Sequence, residues 1–345
     1  MNTDKKQLLF IGLEFHKKTK SADFVLELLC LKFEITFCYV DVFTKTPYSC
    51  FSKVEKKTFD VLVCWQIMPS PSLLSKYFQF KHRVFFPMFD SCPGVKKPDR
   101  WYAYRDFQII SFSSTLAKQL NKAGFSVHSI QYFPKPFDII EWGDSQKIFF
   151  WNRRESINIH LIEDLFSKIK IKQIHIHKAL DPGCKFIEPR ENSSIKYSYS
   201  EWYETRDEMK IDILNAAYYI APRQKEGIGM SFLEAMAMGR CIIAPNNPTM
   251  NEYIKHGQTG FLYNLNKPKP FQVKHLIKIQ KNTYQYMCEG YKRWECEKLN
   301  ILKWCTEPPK ISKFKLTKAM CIRFFRNPVK LIRSLREDAK SWKDE

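Results

Sequence analysis

Apolar runs of strand length alternate with helical runs along this chain, and the alternation starts twice. The first series of strand candidates is 7-QLLFIGL-13, 34-EITFCYVDVF-43, 59-FDVLVCWQ-66, 83-RVFFPMFD-90 and 107-FQIISFS-113. Helical patterns fall between them at 22–33, 70–78 and 114–125. This rhythm predicts a parallel, doubly wound sheet, because parallel neighbours need a crossover connection and a helix supplies it. The polar, Pro- and Gly-punctuated 134-PKPFDIIEWGDSQ-146 reads as a linker. After it come strand candidates 147-KIFFW-151, 173-QIHIH-177, 218-YYIAP-222 and 240-RCIIAP-245, with helices near 155–168 and 206–217. At 345 residues the chain suits two cores. The expected organisation is an α/β domain over 1–137, a second over 138–305, and a basic helical tail over 306–345. Two such domains side by side make a cleft, the default ligand site.

The net charge of +20 is unevenly spread. Residues 1–137 hold 20 Lys and Arg against 11 Asp and Glu, residues 138–265 hold 16 against 17, and residues 266–345 hold 20 against 8. A neutral middle between basic flanks suits nucleic acid, an anionic membrane face or a phosphorylated acceptor. From Lys310 to Arg336 there are nine basic residues and no acidic one, interleaved with apolar residues such as Phe314, Leu316, Ile322 and Phe325. Such a helix either lies on an anionic membrane or packs its apolar side on the protein. Eleven cysteines without a C-x-x-C pair fit reduced thiols in a cytosol rather than a disulfide framework or a zinc site. The N-terminal apolar run is too short for a signal peptide, and no run is long enough to span a membrane. A cytoplasmic protein, peripheral on the inner face of the cell membrane, is expected.

The stretch 226-EGIGMSFLEAMAMG-239 carries the chemistry. Ser231 and Glu234 have capping-box spacing, with Gly239 as the helix stop. That account leaves Glu226, Gly227 and Gly229 unused. A second account uses all of them. Glycines let the backbone approach a ligand, and a helix N-terminus offers free N–H groups and partial positive charge to a phosphate. Carboxylates accept only, so Glu226 and Glu234 suit hydroxyl groups at either side of the phosphates. A sugar nucleotide has that layout. The dinucleotide fingerprint G-x-G-x-x-G fails, because Phe232 stands where its third glycine belongs.

E-x7-E followed by A-M-A-x-G and a strand resembles the nucleotide-sugar signature of retaining glycosyltransferases of the GT-B fold, family 4 type (glycosyl transferases group 1). The likeness runs through 212-DILNAAYYIAPRQKEGIGMSFLEAMAMGRCIIAPNNPTMNEYIKHGQTGFLY-263, and 107–136 is similar to that family's last N-domain strand, helix and strand. The resemblance implies two Rossmann-like domains facing across a cleft. It implies that Glu226 binds donor-sugar hydroxyls as a catalytic-site residue, that Gly227, Ile228, Gly229 and Met230 offer backbone amides, and that Glu234 holds the ribose diol. It also implies an Arg after the first strand of the second domain, gripping the diphosphate with a Lys five residues on. Here 152-NRRE-155 offers Arg153 or Arg154, while the Lys is missing, with Asn158 and Ile159 in its place, and the second Arg is the candidate to replace it.

In the first domain the resemblance departs further. After the first strand, 13-LEFHKKTKSADF-24 brings His16, Lys17 and Lys18, a basic lining for a phosphate-bearing acceptor or the donor diphosphate. Asp90 in 87-PMFDS-91 either contacts the reacting sugar or is a turn residue. His175 and His177 alternate on one strand candidate, and a strand histidine of this kind is chiefly structural. No metal-ligand spacing is present, so no metal and no cofactor are expected, and cations and helix amides would stabilise the leaving diphosphate. The expected function is transfer of a sugar from a nucleotide-diphosphate sugar to a glycan or lipid-linked acceptor, in bacterial surface polysaccharide or lipopolysaccharide synthesis. The alternatives are a sugar-nucleotide epimerase, a transferase to a soluble acceptor, or, more distantly, a basic nucleic-acid-binding protein, for which no module is present and no nucleic acid is expected.

Overall fold

The apolar runs become two six-stranded, wholly parallel sheets. The computed structural model describes residues 5–92, 101–138, 141–191 and 193–326. The chain divides into two units, one formed by residues 1–131 with 295–345 and one by residues 132–294.

The first sheet comprises β1 (Lys6–Leu13), β2 (Phe33–Val40), β3 (Thr58–Trp65), β4 (Gln79–Phe86), β5 (Gln108–Ser111) and β6 (Val127–Ser129), in the order β2-β1-β3-β4-β5-β6. Central strands such as β1 and β3 are buried on both faces, which is why they read as continuous apolar runs rather than alternating ones. Helices α1 (Phe15–Thr19), α2 (Asp23–Cys30), α3 (Pro71–Tyr77) and α4 (Ser114–Ala123) connect them. Helix α4 shows how the sequence sets its own limits. Ser113 caps it by accepting from Leu116 N–H at 3.2 Å, and Gly124 ends it at φ 99°.

The second sheet comprises β7 (Asp144–Asn152), β8 (Gln173–Lys178), β9 (Lys196–Ser200), β10 (Ala216–Ile220), β11 (Cys241–Pro245) and β12 (Gly260–Tyr263), in the order β12-β11-β10-β7-β8-β9. Its helices are α5 (Ile159–Leu165), α6 (Arg206–Asn215), α7 (Met230–Ala237), α8 (Met250–Tyr253) and α9 (Leu276–Glu297). Every residue of β10 and β11 is buried. Arg240, fully buried, donates to the carbonyls of Met238, Leu214, Ala216 and Glu141 and so ties the end of α7 to the start of the sheet.

The division differs from the one read in the sequence. Residues 132–137 go with the second unit, where Phe133 packs edge-on against Tyr253 and Phe137 N–H donates to Ala237. Residues 295–305 go with the first unit, as does the described part of the tail. There α10 (Asn300–Trp304) stacks Trp304 on His128 at 4.3 Å. Ser312 N–H then donates to Gly124 O at 2.9 Å, and α11 (Lys313–Arg326) buries Leu316 in the first core. Residues 327–345 of the expected tail lie outside the described residues. No described helix is long and apolar enough to cross a membrane.

Candidate active site

In the second sheet the strand order reverses between β7 and β10, so the loops leaving their C-terminal ends turn to opposite sides, which is where open α/β sheets bind ligands. The chain places its charges there. Arg153 and Arg154 follow β7 directly, Asp181 lies in the turn after β8, and Arg223 follows β10. All three guanidiniums meet on one carboxylate. Arg153 donates to Asp181 Oδ1 through Nε at 3.0 Å and Nη2 at 2.6 Å. Arg154 Nε donates to Oδ2 at 2.7 Å, and Arg223 Nη2 donates to both oxygens at 3.0 Å. Burial pushes the Asp181 carboxyl up, but the Arg154 hydrogen bond and the Arg153 and Arg223 charges outweigh it and leave its pKa below the usual carboxylate range.

The loop 226-EGIG-229 runs beside this cluster. Glu226 is only 9% exposed, and its N–H donates to Pro248 O at 3.3 Å. Thr249 Oγ1 donates to Ile228 O at 3.2 Å, so the loop after β11 pins the loop before α7 at two points. Gly229 is the N-cap of α7, at φ 87° and ψ 40°. Ser231 is therefore the second residue of the helix rather than its cap, and the capping box expected from Ser231 and Glu234 is not formed: the left-handed turn at Gly229 starts the helix two residues early. Gly239, at φ 73°, does end it as expected. Glu234 lies one turn into α7. Burial pushes the Tyr219 hydroxyl of β10 far up, with Ser231 opposing, Glu226 and Glu234 adding to it, and Arg153 opposing. The two acids, the arginine and the helix start thus share one electrostatic neighbourhood.

Five of the residues singled out in the sequence, Arg153, Arg154, Glu226, Gly229 and Glu234, with Gly227, Ile228 and Met230 between them, sit at this one edge. Asp181 and Arg223 were not singled out. The available signals were a D-P-G turn shortly after a strand, and an Arg behind Pro222 at the end of another.

His16, Lys17, Lys18 and Asp90 belong to the first unit, whose strand order reverses between β1 and β3. His16 is buried. Its Nδ1 accepts from Leu13 N–H at 3.1 Å, which leaves Nε2 as the donor to Gln66 Oε1 at 2.9 Å. Burial lowers its pKa, with the Gln66 hydrogen bond raising it. His16 therefore offers a fixed, neutral ring and not the cation expected of a basic lining. Lys17 is exposed, pairs with Glu14 at 2.7 Å and lies 4.8 Å above the Tyr39 ring, and Lys18 is exposed beside it. Asp90 is half-buried in the turn after β4, near Ser91, which accepts from Gln66 Nε2 at 3.2 Å.

His175 and His177 point to one face of β8 and enter a closed polar network. His175 bonds Ser198 and Ser200 at 3.0 and 2.9 Å, His177 bonds Ser200 at 3.0 Å, and Tyr203, stacked 4.5 Å from His177, donates to Asp212 at 2.7 Å. Burial, then the neighbouring His175, lowers the His177 pKa to about 4. Among the described residues, no group of three or more His, Cys, Asp or Glu side chains could hold a metal ion.

Residues 200–292 match the family model described as Glycosyl transferases group 1. No curated protein is significantly similar in sequence. Among solved structures, sucrose-phosphate synthase from Thermosynechococcus elongatus is similar at a TM-score of 0.59 with 12% identity, over 87% of this chain and 98% of its own. HepE from Anabaena, solved in complex with UDP and glucose, is similar at 0.53 with 12% identity, over 86% of this chain and 98% of its own. The lipopolysaccharide outer core galactosyltransferase WaaB is similar at 0.51 with 14% identity, over 82% and 90%. Those likenesses bear on the fold, and the family match bears on the segment that holds β10, α7 and their loop. Residues 200–292 thus resemble the glycosyl transferases group 1 model, and the chain has a two-unit α/β fold of the GT-B kind.

Proposed function

We propose that this protein is a retaining glycosyltransferase that moves a sugar from a nucleotide-diphosphate sugar to a glycan or lipid-linked acceptor. One observation carries the reading: the buried Glu226, the Gly229-capped start of α7 and an arginine cluster held by Asp181 stand together at the reversal point of the second sheet. The arginines and the helix amides suit a diphosphate, and Glu226 and Glu234 suit hydroxyls of the sugar and the ribose. As the glycosidic bond to the diphosphate breaks, charge grows on the leaving phosphate oxygens. Guanidiniums already fixed beside them stabilise that charge without reorganising, and in this reading they do so without a metal ion. HepE, bound to UDP and glucose, supports a nucleotide-diphosphate donor by analogy of fold, and WaaB supports a lipopolysaccharide-type acceptor in the same way.

The acceptor side of the proposal rests on charge. The basic first unit and the tail suit an anionic, membrane-borne acceptor in surface polysaccharide synthesis. A panel of nucleotide sugars tested for thermal stabilisation checks the donor class, because a ligand that binds only the folded state raises its stability by mass action. Stabilisation by one nucleotide sugar, followed by transfer of its labelled sugar to a lipid extract, is the expected result. A panel without any stabilising nucleotide sugar overturns the reading.

A further inference from the structure

We propose that the Cys38 and Cys50 thiols of the first unit form a reversible modification site, which a small carboxylate-bearing disulfide oxidises to a Cys38–Cys50 disulfide. The site stands whether or not the second unit takes a sugar nucleotide.

Cys38 lies on β2, an edge strand of the first sheet, and is 3% exposed. Cys50 is half-buried in the short 3-10 turn Ser49–Phe51. The Cys38 S–H donates to Cys50 Sγ at 3.5 Å, and Cys50 lies 3.7 Å from the Pro47 carbonyl oxygen. A disulfide needs about 2.05 Å, so the sulfurs have only about 1.5 Å to close. The turn is held in place by Phe51, fully buried and edge-on to Tyr77 at 5.8 Å and Phe78 at 5.4 Å. Cysteines that serve only as small apolar filler are shut inside a core, as Cys64 and Cys241 are. Cys38 and Cys50 instead line an open cavity of about 490 Å³. Its charged lining is Lys17, Lys53 and Lys56 against Glu55, with Glu14 paired to Lys17.

The two thiols have different tasks. The Cys38 hydrogen bond lowers the Cys50 pKa, burial opposes it, and the Cys50 backbone and Lys53 add to the lowering. The same hydrogen bond, with burial, pushes Cys38 up. Cys50 therefore ionises first and attacks, and Cys38 resolves. Cys50 thiolate attacks one sulfur of oxidised glutathione. A mixed disulfide forms, and one glutathione leaves as thiolate and takes up the Cys38 proton. The Cys38 sulfur then attacks Cys50 Sγ, and the second glutathione leaves as thiolate and takes up the proton that Cys50 gave to water. Two protein thiols and one glutathione disulfide thus become one protein disulfide and two glutathione thiols. The second step is intramolecular between adjacent sulfurs, so it outruns the first.

The experiment incubates the full folded chain with oxidised glutathione, alkylates the remaining thiols and maps the tryptic peptides without reduction. Trypsin cuts after Lys45 and so separates 33–45, which holds Cys38, from 46–53, which holds Cys50. The expected product is these two peptides joined, lost again on adding excess reduced glutathione. Joining should proceed roughly tenfold faster than adduct formation at the exposed Cys30, the advantage of a thiol with lowered pKa. Cys38→Ser should trap glutathione on Cys50, and Cys50→Ser should leave Cys38 unmodified. The wild-type map needs no variant, so a variant that fails to fold leaves the test intact. Cys30 carrying glutathione while Cys38 and Cys50 stay free thiols overturns the proposal. So does a joined peptide that forms only after urea unfolding.

Discussion

Gly229 faces the ring of Phe232 so closely that a β-carbon on Gly229 would lie 1.9 Å from Phe232 Cε1. The glycine is also at φ 87°, a left-handed conformation that side chains adopt at a cost of about 1–2 kcal/mol. Strain and overlap act together, so Gly229→Ala has no relaxed way to keep the start of α7 where it is. The expected outcome is a loss of at least roughly 2 kcal/mol in urea unfolding and a weaker nucleotide-sugar affinity. A variant with unchanged stability and affinity would show that the tight turn is not what sets the amides of α7.

Glu226 has a different signature. Its side chain is buried, yet it lies in a loop whose anchors, the Pro248 and Thr249 contacts, are made through the backbone of Glu226 and Ile228. Glu226→Ala therefore leaves those anchors in place. It should cut kcat/KM by roughly a hundredfold or more through lost hydroxyl binding while the circular dichroism spectrum stays that of the folded wild type. Full transfer activity in a folded Glu226→Ala protein would remove Glu226 from the donor site.

Much of this was readable in advance, for identifiable reasons. Strands β1, β3, β10 and β11 are buried on both faces, so they stand out as unbroken apolar runs. The strand β9, KYSYS, is at the sheet edge and half polar, and the short β12, GFLY, is also an edge strand; neither gives a signal above its surroundings. The α7 start was misplaced because S-x-x-E is a good local cap, whereas the left-handed Gly229, in a loop anchored from a distance by Pro248 and Thr249, puts the cap earlier. The Asp181 cluster joins positions 153, 154, 181 and 223, and no local pattern links residues from three loops. Arg153 and Arg154 came from the resemblance. The partner that organises them came from the fold.

The histidine network predicts an acid-sensitive fold. The His177 pKa of about 4 lies below the value near 6.5 expected in the unfolded chain. Between these values the unfolded chain binds more protons, so this stability is fully present above about pH 6.5 and is lost as pH falls towards 4. His16, His82, His128 and His175 are lowered too, in each case chiefly by burial, and act in the same direction. Urea midpoints should fall between about pH 7 and 4.5, with His177 accounting for roughly 2 kcal/mol. His177→Gln should flatten that slope. An equally steep profile in the variant would assign the acid sensitivity elsewhere.

The tail offers two kinds of apolar residue on one helix, and they separate docking on the protein from docking on a membrane. Leu316 is 3% exposed in the first core, whereas Phe314 and Phe325 are 79% and 82% exposed, on a stretch from Lys310 to Arg326 that has basic residues and no acid. Deleting the whole tail would remove both kinds at once and confuse unfolding with release. Point variants do not. Leu316→Ala should destabilise the first unit by roughly 2–4 kcal/mol, the cost of an emptied leucine site. Phe314→Ser with Phe325→Ser should leave stability within about 0.5 kcal/mol, as for other exposed positions. The double variant should nevertheless reduce binding to vesicles of phosphatidylglycerol and phosphatidylcholine by roughly tenfold or more, because each phenylalanine would lose its burial in the acyl boundary. Added salt should weaken wild-type binding as well, since screening acts on the lysines and arginines. Vesicle binding that ignores both the substitutions and the salt would mean that α11 only closes the first core.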